Sequence, residues 1–83
     1  METSQLQDGQ IYGPYLPLTE VEIAQMYPGA LSDFNRLVVQ GTHQYRIRSE
    51  EFAKAGMTEE AQELGAYVED RHSRLVRIAS QAQ

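Results

Sequence analysis

The chain has no cysteine and no tryptophan. Without thiols it can form neither a disulfide nor a thiolate metal site. It has one lysine, Lys54, so arginine supplies nearly all of its positive charge. No apolar run approaches the roughly 20 residues that cross a bilayer. The opening stretch, Met1–Gln10, is polar and carries Glu2, which does not match a secretory signal. Positive charge is scarce overall, with seven basic residues against twelve acidic ones and a net charge of −5. Such a chain is poorly suited to duplex nucleic acid or an anionic membrane, and neither is expected as a partner. The expectation from these absences is a cytoplasmic protein.

What is present fits one small globular domain. The 83 residues are 41% hydrophobic, enough to argue against disorder. Residues 1–11 are polar and without periodicity, and read as a flexible tail. Residues 12–81 read as a single helical domain. It opens with Tyr12-Gly13-Pro14-Tyr15-Leu16-Pro17-Leu18, where proline and glycine forbid a regular helix, so the segment reads as an extended arm that packs onto something. Thr19 and Glu22 then form a capping box, with Leu18 and Ile23 at the hydrophobic-staple positions. The helix they start should run over about 20–26, ended by Pro28 and Gly29.

The next stretch has two readings. As a helix over about 32–55, capped by Ser32, it places Leu31, Phe34, Val38, Gly41, Tyr45, Arg48 and Phe52 on one face. As strands, Leu37-Val38-Val39 and Tyr45-Arg46-Ile47 would flank a turn at Gln40-Gly41. The helix is preferred, because the spacing persists while Gln-Gly is a weak hairpin turn. Gly56 fits a left-handed helix C-cap and Thr58 the N-cap of a last helix over about 59–80. That helix repeats the pattern with Ala61, Leu64, Val68, Arg71, Leu75 and Ile78. The fold class is therefore all-α: a short N-terminal helix and a two-helix antiparallel hairpin. Tyr45, Phe52, Leu37, Val39, Tyr67 and Val76 lie too widely around the helices for one seam. A homo-oligomer is expected, with a compact three-helix monomer as the alternative.

Candidate chemistry follows from the hairpin register. The two long helices should place residues opposite each other when their numbers sum to about 114. Arg36 then nears Arg74 and Arg77, while Glu50, Glu51, Glu59, Glu60 and Glu63 gather at the turn. The arm with Tyr12 and Tyr15 is expected to attach at the basic open end. Arginines beside aromatic rings suit an anionic ligand carrying a flat base, since guanidinium pairs with phosphate and rings stack. The candidate ligand-binding residues are Tyr12, Tyr15, Arg36, Arg74 and Arg77; the alternative is ordinary surface charge. Glu69-x-x-His72 has the local spacing of carboxylate-bridged metal bundles, but no glutamate faces it from the other helix, so no metal and no cofactor is expected. No serine sits in a nucleophile elbow and no glycine-rich phosphate loop is present, so a non-catalytic protein is expected.

The run Tyr15-Leu16-Pro17-Leu18-Thr19-Glu20-Val21-Glu22-Ile23-Ala24-Gln25-Met26 and the tail Leu75-Val76-Arg77-Ile78-Ala79 resemble the phage anti-CBASS family, which sequesters cyclic-oligonucleotide signals as a sponge. The resemblance implies small helical protomers in a ring-like oligomer, usually a hexamer, working in the cytoplasm of a bacterial host. It implies an anti-defence role in which Tyr15 contacts a cyclic nucleotide and Arg77 lies in the matching tail. Where the family has a lysine fifteen residues after the tyrosine, this chain has Ala30, so a shifted pocket would draw on Arg36 or Arg74. The second functional expectation is a small acidic helical adaptor or inhibitor. It would bind a protein partner, such as a defence-system or nuclease subunit, by offering an acidic surface.

Overall fold

The computed structural model describes residues 14–81; the expected tail 1–11 and Tyr12 lie outside the described residues. Among them are three helices and no strand: α1, Glu20–Met26; α2, Asp33–Lys54; and α3, Thr58–Gln81. The all-α expectation holds. Gly41 lies inside α2, which runs unbroken through the stretch where strands were the alternative.

Local chemistry sets the ends of these helices. At α1 the Thr19 hydroxyl accepts from the Glu22 N–H at 3.2 Å, and the Glu22 carboxylate accepts from the Thr19 N–H at 2.8 Å. Two otherwise orphaned donors are satisfied reciprocally. At α2 the Ser32 hydroxyl accepts from the Asn35 N–H at 3.1 Å. Its far end closes through Gly56, whose φ of +83° is the left-handed conformation that glycine adopts without a Cβ penalty. The Gly56 N–H reaches the Ala53 carbonyl at 3.1 Å and the Met57 N–H reaches that of Phe52 at 2.9 Å, the two bonds of a Schellman cap. One expectation is corrected here. Thr58 is the first residue of α3 and not its cap. The cap position falls to Met57, whose carbonyl accepts from the Ala61 N–H at 3.0 Å. The Schellman cap ends on Met57, so that residue closes one helix and opens the next.

Packing concentrates at the end of the molecule away from this turn. Ile23 of α1 and Tyr27 at its C-cap meet Val39 of α2 and Leu75 and Ala79 of α3, with Leu18, Met26, Leu31 and Val38 packed around them. Each large side chain buried in this way contributes about 1.5–3 kcal/mol. Gly29 fits the connection tightly: a Cβ there would sit 2.1 Å from the Ala79 carbonyl oxygen. Farther along, Tyr45 meets Tyr67 edge to face with ring centroids 5.5 Å apart, and the Ser49 hydroxyl donates to the Ala61 carbonyl at 2.9 Å. Contacts that climb along α2 thus descend along α3.

The buried faces differ from the expected stripes. On α2 the buried residues are Val39, Gln40, Thr42 and Gln44, whereas Phe34 is 71% exposed and Tyr45 39%. On α3 they are Val68, Leu75 and Ala79, and Ile78 gives way to its neighbour. The reason on α2 is that a second surface, the arm, competes with α3 for the helix. The arm covers the glutamines and leaves part of the apolar stripe open.

Candidate functional site

Pro14–Thr19 precedes α1 in a non-helical conformation, and its main-chain groups need partners from elsewhere. Two glutamines one helical turn apart supply them. The Gln40 side-chain amide donates to the Leu18 carbonyl and accepts from the Leu18 N–H, both at 2.8 Å. Gln44 repeats the arrangement at Tyr15, donating to its carbonyl at 2.8 Å and accepting from its N–H at 3.0 Å. His43 Nε2 donates to the Leu16 carbonyl at 3.1 Å. The clamp reads main chain, so the Leu16 side chain is left 86% exposed.

This path corrects the expected attachment of the arm. The arm leaves α1 at the open end but runs along α2 toward the turn. There the Tyr15 hydroxyl donates to the Glu51 carboxylate. That bond, with some desolvation and the charge of Glu51, raises the Tyr15 pKa above its ordinary value, against an opposing pull from Arg48. The cation beside Tyr15 is therefore Arg48. Arg36, in the first turn of α2, is about 22 Å from the level of Glu51 at 1.5 Å per residue. A single phosphate cannot bridge that span.

The other candidate arginines are also placed. Arg36 pairs with Glu20 of α1 at 3.0 Å, and Arg74 pairs with Asp70 one turn before it at 3.3 Å. Arg77 is exposed on α3. Tyr15, held at Glu51, is not brought to Arg36. His72 of the Glu69-x-x-His72 pattern turns inward, where its Nδ1 lies 2.7 Å from the Tyr27 hydroxyl. Burial raises the Tyr27 pKa, and the nearby Arg46 works against that rise. Glu69 is exposed, and no cluster of three or more metal-binding side chains occurs among the described residues.

On the face of α2 and α3 that these contacts leave open lies a continuous groove. A cleft of about 390 Å³ is lined by Tyr45, Arg48, Phe52, Glu60, Glu63 and Leu64. A smaller one of about 170 Å³ adjoins it at Tyr45 and extends past Gly41 and Tyr67 to Arg71. Arg71 lies over the Tyr67 ring at 5.0 Å and donates to its hydroxyl at 2.6 Å. The α2 side of this groove is the stripe Val38, Gly41, Tyr45, Arg48, Phe52 seen in the sequence. The periodicity marked an apolar face correctly; Val38 reaches the core, and from Gly41 to Phe52 the face is only partly covered.

Sequence reasoning missed Gln40, Gln44 and Arg48. The signal for the glutamines was the arm itself: an extended segment with two prolines, outside any sheet, needs side-chain partners, and amides at i and i+4 can serve two of its peptides. No helix among the described residues is long and apolar enough to cross a membrane. Compared with known proteins, the chain matches no family model, no curated protein and no solved structure.

Proposed function

We propose that the protein is a non-catalytic interaction module: an antiparallel two-helix hairpin, braced by a clamped arm, that self-associates and binds protein rather than transforming a substrate. The observation that carries this reading is the open groove on α2 and α3, with Tyr45 and Tyr67 exposed by 39% and 43% along it. A contiguous aromatic and aliphatic groove with a charged rim is the usual form of a protein-binding surface. Both imidazoles have structural partners, His43 at the arm and His72 at Tyr27, which supports a binding role over acid–base chemistry.

Sequestration of a cyclic nucleotide is the competing proposal. It asks for arginines beside the Tyr15 ring, and within one chain Tyr15 bonds to Glu51 while Arg36 pairs with Glu20 near the other end of α2. A site that joins Tyr15 to Arg36 would then have to form between copies. Light scattering at tens of micromolar, joined to calorimetry with cyclic di- and trinucleotides, tests both. The expected result is a mass above the 9.4 kDa of one chain and no heat. A monomeric mass overturns self-association; saturable heat moves the function to sequestration.

A further inference from the structure

α2 and α3 pack side by side, and such a pair has two broad faces. On one face α1 covers the open end by packing on Val39. Gly41 lies two residues farther, about 200° around α2 at 100° per residue. It belongs to the opposite face, which carries the groove.

Gly41 is not required by packing within one chain. A glycine inside a helix costs about 1 kcal/mol relative to alanine. Gly65 on α3 faces the neighbouring helix, where a Cβ would be in ordinary contact with the Ser49 hydroxyl oxygen at 3.4 Å. A Cβ on Gly41 would meet nothing within 4 Å. Its φ is not in the left-handed region either, since Gly56 is the glycine with positive φ among the described residues. A missing side chain in the floor of an aromatic groove lets another backbone approach closely.

Along α3 the charge on this face is arranged to match itself, while Arg48 of α2 lines the cleft at its acidic end. Glu60 and Glu63 rim the end near the turn. Arg71 rims the other end, and Arg74, which pairs with Asp70 one turn before it, follows three residues on. Tyr67 stands midway, four residues from both Glu63 and Arg71 and seven from both Glu60 and Arg74. A two-fold axis at Tyr67 thus lays each acidic position over a basic one. An isologous interface requires that self-complementarity.

We infer that the groove face is a two-fold interface with a second copy of this chain, its axis near the Tyr45–Tyr67 pair. Glu60 and Glu63 of each copy lie over Arg74 and Arg71 of the other. Gly41 receives the facing helix, and Tyr45, Phe52 and Leu64 form the apolar centre. The inference rests on the self-association proposed above and adds its surface, symmetry and register.

Gly41→Arg tests the surface without disturbing the chain, because the new side chain enters space that is empty in one copy. Circular dichroism should show its helix content kept, and dimer affinity should fall roughly tenfold or more through steric and charge exclusion. Glu63→Arg and Arg71→Glu should each weaken the dimer, and the double variant should restore it. If the native protein is a monomer, both the self-association and this interface are overturned. If the native dimer forms and Gly41→Arg leaves it intact, self-association stands and this face is overturned. If the single charge reversals weaken the dimer but the double variant does not rescue it, the two-fold register is overturned.

Discussion

Gln44 holds Tyr15 by both polar groups of its main chain, accepting from the N–H at 3.0 Å and donating to the carbonyl at 2.8 Å. A buried glutamine thereby acts as the neighbouring strand that the arm lacks. The consequence is testable. Gln44→Leu keeps side-chain bulk and removes both bonds, each with a net value of about 0.5–1.5 kcal/mol. The arm should detach at Tyr15 while the helices persist. Amide hydrogen exchange should accelerate at Tyr15, with helix content by circular dichroism unchanged. Unaltered exchange would mean that side-chain packing, and not the glutamine, holds the arm.

The arm also has a pH response. Tyr15 and Tyr27 both have pKa values raised above the ordinary tyrosine value, Tyr15 chiefly by its bond to Glu51 and Tyr27 chiefly by burial. A raised folded-state pKa means that the neutral phenol is favoured by folding. Its stabilisation is complete below the unfolded pKa of about 10 and is lost as pH climbs through the folded value. Titration followed by tyrosinate absorbance should show a fraction of the chain's tyrosines ionising late. Tyr15→Phe should remove part of that late fraction. Its persistence in full would disconnect Tyr15 from Glu51.

The core at the open end makes a sharper stability prediction. Leu75 is 1% exposed and touches both α1 and α2 residues. Leu75→Ala should cost about 2–5 kcal/mol, as burial is lost and a cavity remains. Gly29→Ala should destabilise too, because the added methyl meets backbone at Ala79 and not a flexible side chain. Urea denaturation of the two variants measures both effects. A neutral Gly29→Ala would show that the α1–α2 connection can move away from α3.

How much of this was legible in the sequence depends on the range of the interaction. The caps at Thr19, Ser32 and Gly56 are local chemistry, and each side chain or backbone twist acts within four residues of itself. The sequence alone shows them. The stripe through Val38, Gly41, Tyr45 and Phe52 was equally visible, yet periodicity does not say what covers an apolar face. Here the arm takes the adjacent face through Gln40 and Gln44, and the stripe beyond Val38 stays partly open. The arginine site was expected from register alone. Register does not include Glu20, which the chain returns to Arg36, or Asp70, one turn before Arg74 on the same helix. The path of the arm was beyond sequence because it is set by five side-chain–main-chain bonds between segments more than twenty residues apart.

Arg77 separates the two functional proposals. It is exposed, and it lies about 80° around α3 from Tyr67 at 100° per residue, beside the groove and not in it. As a surface residue outside the core, its replacement by alanine should change stability by no more than about 0.5 kcal/mol. The proposed two-fold interface does not use it, so the oligomer mass of Arg77→Ala should equal that of the native protein. Sequestration makes a different demand. A charge-assisted bond to phosphate is worth about 1.5–3 kcal/mol, so its loss would weaken nucleotide binding roughly ten- to hundredfold. Calorimetry with cyclic nucleotides and light scattering on this one variant therefore read different things. Native mass, native melting temperature and no nucleotide heat from either protein is the expected outcome. A nucleotide that binds the native chain and loses tenfold or more on Arg77→Ala would place the function at the open end.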